Sequence, residues 1–107
     1  MSYSIETIPR FNKDVKKLKK RFPKIKDDLS LLIEELTKNP ELGTPLESGL
    51  YKIRLQNSSI PTGKRAGFRI VTYYVNEDTL YLVTMYAKSD TDTILIHKLK
   101  EIISSEI

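Results

Sequence analysis

Apolar residues recur along this chain with two different periods, and the change of period marks its organisation. Tyr3 and Ile5 alternate with polar neighbours over residues 2–8, which predicts a short strand ended by Pro9. Phe11, Val15, Leu18 and Phe22 then recur at helical spacing, while Lys13, Lys16, Lys17, Lys19, Lys20 and Arg21 fill the other positions. This pattern predicts an amphipathic helix with a basic outer surface. Pro23 suits the first turn of a second helix, whose stripe is Ile25, Leu29, Leu32, Ile33 and Leu36. Asp27 and Asp28 favour the positive end of its dipole, and Asn39-Pro40 stops it. Two helices on so short a link form an antiparallel hairpin that needs an apolar surface to cover.

From residue 50 the period falls to two. Residues 43–49 read as a loop, 50–56 alternate, and 57–63 carry Ser, Pro and Gly turn chemistry. Residues 68–75 and 80–87 are β-branched and aromatic on either side of Asn76-Glu77-Asp78. Three strands with short connections predict an antiparallel meander. After Lys88, the run Ser89, Asp90, Thr91 and Asp92 offers N-caps for a closing helix carrying Ile94 or Leu95, Leu99, Ile102 and Ile103. The predicted order is β-α-α-β-β-β-α over residues 1–107, one α+β domain. Its small antiparallel sheet is packed by an N-terminal helical hairpin and a C-terminal helix.

Composition narrows the chemistry. Cysteine is absent and His97 is the single histidine, which excludes disulfide frameworks, cysteine-based zinc sites and multi-histidine metal centres. No apolar run reaches the length of a membrane span, and Met1-Ser2-Tyr3-Ser4 lacks the regions of a signal peptide, so a cytoplasmic protein without a membrane partner is expected. The net charge of +4 is blocked along the chain: +7 over residues 1–26, −5 over 27–51, +4 over 52–88 and −2 over the remainder. Blocked basic charge points to a polyanion or an acidic partner. For the N-terminal block, the plain alternative is a lysine-rich helix face that is merely solvated.

Strand alternation sharpens the charge. Tyr51, Ile53 and Leu55 point to one face, so Lys52 and Arg54 share the other. Arg69 is flanked by Phe68, Ile70 and Val71, which predicts a guanidinium in a partly desolvated groove, and Tyr86 and Lys88 stand two apart on the last strand. If the meander pairs in sequence, Lys52, Arg54, Arg69, Tyr86 and Lys88 converge. Such a cluster suits metal-free RNA cleavage, in which a 2′-hydroxyl attacks the adjacent phosphate and the 5′-oxygen leaves. Guanidinium forks stabilise the charge that builds on the non-bridging oxygens, and Lys52, Lys88 and Tyr86 are the candidates to carry protons. Tyr86 is also a candidate stacking platform for a base. Lys64 and Arg65 flank a hairpin and, with Lys13, Lys16, Lys17 and Lys20, are candidates to position RNA. Neither a cofactor nor a metal is called for, and Asp90 and Asp92 read as helix caps before Mg²⁺ ligands. The plain alternatives are a solvent-facing sheet surface for Lys52 and Arg54, a core position for Tyr86, and a structural or surface role for His97.

Taken in order, several segments resemble the RelE/ParE superfamily of bacterial toxins, and most of all its HigB-type and RelE-type members. They are Phe11 with the lysine-rich first helix, Asn39-Pro40 with Gly43, Tyr51-Lys52-Ile53-Arg54, Gly63-Lys64-Arg65-Ala66-Gly67-Phe68-Arg69-Ile70, Tyr73-Tyr74, and Tyr81 through Lys88. The resemblance implies the toxin of a type II toxin-antitoxin module: an mRNA endonuclease that enters the ribosomal A site and cuts without a metal. A cognate antitoxin, usually encoded beside it, would inactivate it, with a toxin-antitoxin heterotetramer as the expected assembly. Lys52 and Arg54 match the family's paired basic positions and Arg69 its phosphate-stabilising arginine. Lys88 lies beside the position of another catalytic arginine, here Ser89. The chain departs from the RelE-type pattern in having no tyrosine after Tyr86; the nearest polar candidate is His97, and the HigB-type pattern assigns the work to Tyr86 and Lys88. Two other outcomes belong to the same resemblance: a ParE-like inhibitor of DNA gyrase, and a catalytically inactive antitoxin-binding relative.

Overall fold

Pro9 ends the first strand by beginning a helix. The computed structural model of the protein describes residues 3–61, 67–91 and 94–107. In it β1 (Ser4–Thr7) runs directly into α1 (Pro9–Lys19), with Pro9 at the helix start where its missing N–H costs nothing. Residues 20–24 lead to α2 (Ile25–Lys38), which stops at Asn39, held extended before Pro40. The remaining elements are β2 (Thr44–Pro45), β3 (Leu50–Leu55), β4 (Phe68–Val75), β5 (Thr79–Ala87) and α3 (Ile96–Glu106).

The α+β class and the β3-β4-β5 antiparallel meander are as the sequence predicts. Two further strands widen the sheet to the order β1-β5-β4-β3-β2. β1 lies parallel to β5, Ser4 opposite Thr79 through Thr7 opposite Leu82, so the sheet is mixed where an antiparallel one was expected. Alternation predicts a strand at residues 2–8 but not the strand it joins. Residues 43–49 are likewise not all loop, because Thr44 and Pro45 pair with Lys52 and Tyr51. Proline is tolerated there because β2 is an edge. Gly43 turns the chain into it at φ 100, where a Cβ would stand 2.5 Å from the Lys52 carbonyl oxygen.

The pairing register sorts the sheet's two faces. Phe68, Ile70, Met85, Ala87 and Ile53 lie on the face that takes the helical hairpin, where Phe22 meets Phe68 edge-on at 5.5 Å between ring centroids. They join Phe11, Leu18, Ile25, Leu32 and Leu36 in one buried cluster. α3 adds Leu99 and Ile102 to that cluster. Its outer side is tied down at two places. Arg10 N donates to Glu106 Oε1 at 2.7 Å, and Lys100 pairs with Glu47 at 2.8 Å.

α3 starts later than predicted. Leu95 precedes its first turn and makes no side-chain cap; Asp90 is engaged elsewhere, and Asp92 lies outside the described residues. An acid also does unexpected structural work on α2. Asp28, 2% exposed, accepts hydrogen bonds from Ser58 N at 2.9 Å and from the Ser58 hydroxyl. Asn57 Oδ1 accepts from Ser59 N at 3.0 Å, and Lys24 N donates to Ser59 Oγ at 3.0 Å. These bonds fasten the exit of β3, just beyond Arg54, to the start of α2. Among the described residues no helix is long and apolar enough to cross a membrane.

Candidate functional site

Three strands each contribute one polar side chain to a single row. Arg54 on β3 stands opposite Arg69 on β4, and Arg69 stands opposite Tyr86 on β5. Directly paired residues share a face, so all three project from the side of the sheet opposite Phe68 and Ile70. Lys52, two residues back along β3, joins them from the next row, where its partner is Val71. The structure thus brings together four of the five residues expected to act on RNA. Lys88 follows one residue beyond the end of β5, where its N–H donates to the Gly67 carbonyl at 2.9 Å and carries the β4–β5 pairing one step further.

Lys13, Lys16, Lys17 and Lys20 are exposed on and just after α1, as expected of a basic outer surface. Lys64 and Arg65 lie outside the described residues.

Arg69 is 4% exposed, and its Nη1 donates to the Phe68 carbonyl at 3.1 Å. Burial first, and the Arg54 cation second, lower its pKa from the usual guanidinium range, while Tyr86 acts the other way. Two guanidinium groups side by side on one face are an arrangement suited to an anion. Tyr86 is buried, 8% exposed, and the register fixes its place in the row opposite Arg69.

A groove of about 610 Å³ adjoins the row on the β5 side, walled by α1, the end of β5 and the start of α3. Two acidic residues organise it. Asp14 Oδ2 accepts from Thr84 Oγ1 at 2.5 Å, from Met85 N at 3.2 Å and from Arg10 Nε at 3.3 Å. β1 has ended by this point, so Asp14 takes the place of the missing strand partner beside Met85. Asp90 grips Arg21 through two contacts, at 2.5 and 3.2 Å, and this pair holds the Asp90 carboxyl below the usual carboxylate range. Arg21 in turn lies over the Phe22 ring at 4.8 Å.

Sequence reasoning passed over Asp14 because an acid among lysines on a helix reads as solvated charge. The signal was available: Asp14 is three residues after Phe11 and four before Leu18, on the buried stripe. His97, read as structural or surface, is exposed on α3 and lines this groove. Among the described residues no group of three or more His, Asp or Glu side chains is placed to hold a metal ion.

No family model matches the chain. A solved structure does: the toxin RelE of E. coli in the free state, in a form with two arginines replaced by alanine. It has a TM-score of 0.60 at 19% sequence identity, covering 86% of this chain and 90% of that one. The chain has a RelE-like fold. At that identity the likeness belongs to the order and packing of the elements, and the roles of individual side chains must be argued from the site itself. In the RelE-like fold of this chain, the meander is what sets Arg54, Arg69 and Tyr86 side by side.

Proposed function

We propose that the protein is the toxin of a type II toxin-antitoxin module and acts in the cytoplasm as a ribosome-dependent mRNA endonuclease. The observation that carries this is the Arg54-Arg69-Tyr86 row, in which a nearly buried guanidinium is held against a second cation. The RelE-like fold supports the toxin class. In the reaction, a ribose 2′-hydroxyl attacks the adjacent phosphorus while the bond to the 5′-oxygen breaks, giving a 2′,3′-cyclic phosphate and a 5′-hydroxyl end. Arg69 and Arg54 bind the non-bridging oxygens, whose charge grows in the transition state. Lys52, Tyr86 and Lys88 supply the proton transfers: one group takes the proton of the attacking hydroxyl and another delivers one to the leaving oxygen. Lys13, Lys16, Lys17 and Lys20, with Lys64 and Arg65, engage the RNA backbone. The natural inhibitor is a cognate antitoxin, in a toxin-antitoxin heterotetramer.

Induced expression should stop translation, and primer extension should map cuts inside translated codons. Arg69→Ala should abolish those cuts. The same mRNA with its start codon removed should stay whole, and equal cutting of both copies would overturn ribosome dependence. DNA damage with intact mRNA would identify a ParE-like gyrase inhibitor instead. Absence of toxicity at high expression would identify an inactive antitoxin-binding relative.

A further inference from the structure

We propose that the groove between α1, the end of β5 and the start of α3 is a nucleoside subsite. It would hold one base of a single-stranded RNA beside the phosphodiester bound at Arg54 and Arg69, and it rests on the RNA-cleaving function above. Its volume of about 610 Å³ lies in the range of sites that enclose small ligands. Its apolar surface comes from Leu18, Met85, Ala87, Ile94 and Leu95. Leu95 is 61% exposed, a large aliphatic side chain spent on a groove wall and not on the core.

The charge around this surface is one-sided. Asp14 and Asp90 are the carboxylates among the described lining residues, and Arg10 and Arg21 already engage them. Lys17, Lys98 and His97 remain as basic lining groups. Lys98 has a loose exposed contact with Glu101, at 3.8 Å. An apolar slot covers the faces of a base, an imidazole stacks on it, and two ammonium groups at the rim hold a flanking phosphate.

Position completes the case. Tyr86 belongs both to the cationic row and to the groove wall. Arg69 lies on the next strand, its backbone about 5 Å from that of Tyr86. A base can enter the groove while its own phosphate stays on the row.

The test uses the purified full-length chain and a labelled single-stranded hexanucleotide with 2′-deoxyribose, which cannot be cut. Lys17 and Lys98 are exposed, so Lys17→Ala/Lys98→Ala retains the fold. Two lost phosphate contacts should reduce the slope of log Kd against log salt by about 1.4. His97→Ala should weaken binding about tenfold through lost stacking. In translated mRNA, Leu95→Ala and His97→Ala should change which base flanks the cut while cutting persists. Unchanged affinity, slope and flanking base in all these variants, with cleavage still dependent on Arg69, would overturn the subsite and leave the nuclease intact. A wild-type chain that fails to cut, yet loses hexanucleotide binding in the groove variants, would overturn the nuclease and leave the subsite. Displacement of the labelled strand by poly-glutamate at lower concentration than by unlabelled strand would assign the groove to an acidic polypeptide and overturn the proposal.

Discussion

Replacing Arg69 by methionine keeps much of the side chain's length and removes its charge. Arg54 and Arg69 are directly opposed in the β3–β4 ladder, with Cβ atoms about 5 Å apart by the geometry of such pairs. Taking the charge centres as about 6 Å apart, Coulomb's law gives a repulsion of roughly 0.7 kcal/mol in water and roughly 3 kcal/mol at an effective dielectric of 20. Arg54 is exposed, which favours the lower end, so relief of that repulsion should contribute about 1 kcal/mol to the stability of Arg69→Met at low salt. The sign agrees with the lowered pKa of Arg69: folding disfavours its charged form. Because guanidinium stays protonated at any working pH, salt and not pH should relieve the repulsion. Cleavage should fall on the order of a hundredfold or more, the cost of removing one transition-state charge contact. Arg69→Lys should lose activity with little change in stability, since it keeps the charge without the fork. Urea unfolding at low and high salt, beside primer extension on translated mRNA, reads both effects. If Arg69→Met lost more than about 1 kcal/mol of stability at low salt, the repulsion argument would be refuted and Arg69 would be a structural residue holding the Phe68 carbonyl.

Other substitutions test the frame around the site. Asp14→Ala should cost about 2–3 kcal/mol in urea unfolding, since a partly buried carboxylate that accepts three hydrogen bonds is removed beside Met85. Asp90→Asn should leave the urea midpoint less sensitive to acid. The Arg21-bound carboxylate stabilises the fold above its unfolded pKa near 3.9, and that contribution is lost as pH falls through its lower folded value. Gly67→Ala would set a Cβ 2.2 Å from the Leu55 carbonyl oxygen, and the forced shift of two strand ends should cost roughly 1–3 kcal/mol, visible as a lower thermal midpoint.

The parts of the site legible in the sequence were those that depend on period alone. Alternation put Lys52 and Arg54 on one face, and the apolar company of Arg69 foretold its burial. The partnership of Arg54, Arg69 and Tyr86 was conditional on a pairing order that only the register supplies. β2 escaped notice since two residues, one of them Pro45, carry no pattern. Asp14 and Asp28 escaped for a different reason. Each lies three residues after an apolar anchor and four before another, Phe11 and Leu18 or Ile25 and Leu32, so each interrupts a buried stripe. Both turn out to bind backbone N–H groups of a neighbouring segment. An acid on an apolar stripe was the signal for a capped edge or loop, and reading acids only as dipole partners or solvated charge missed it.

The placement of β5 between β1 and β4 has a consequence for the order in which the protein is made. β1 is synthesised first but pairs with Thr79–Leu82, so it waits for most of the chain. β3 and β4 can zip together as they emerge, bringing Arg54 beside Arg69, yet Tyr86 arrives only when the last strand inserts between its two neighbours. At about 5–20 residues per second, a growing chain is therefore without Tyr86, and without one wall of the groove, until β5 and α3 have emerged. Synthesis itself delays the assembly of the Arg54-Arg69-Tyr86 row, whose third member joins only with β5.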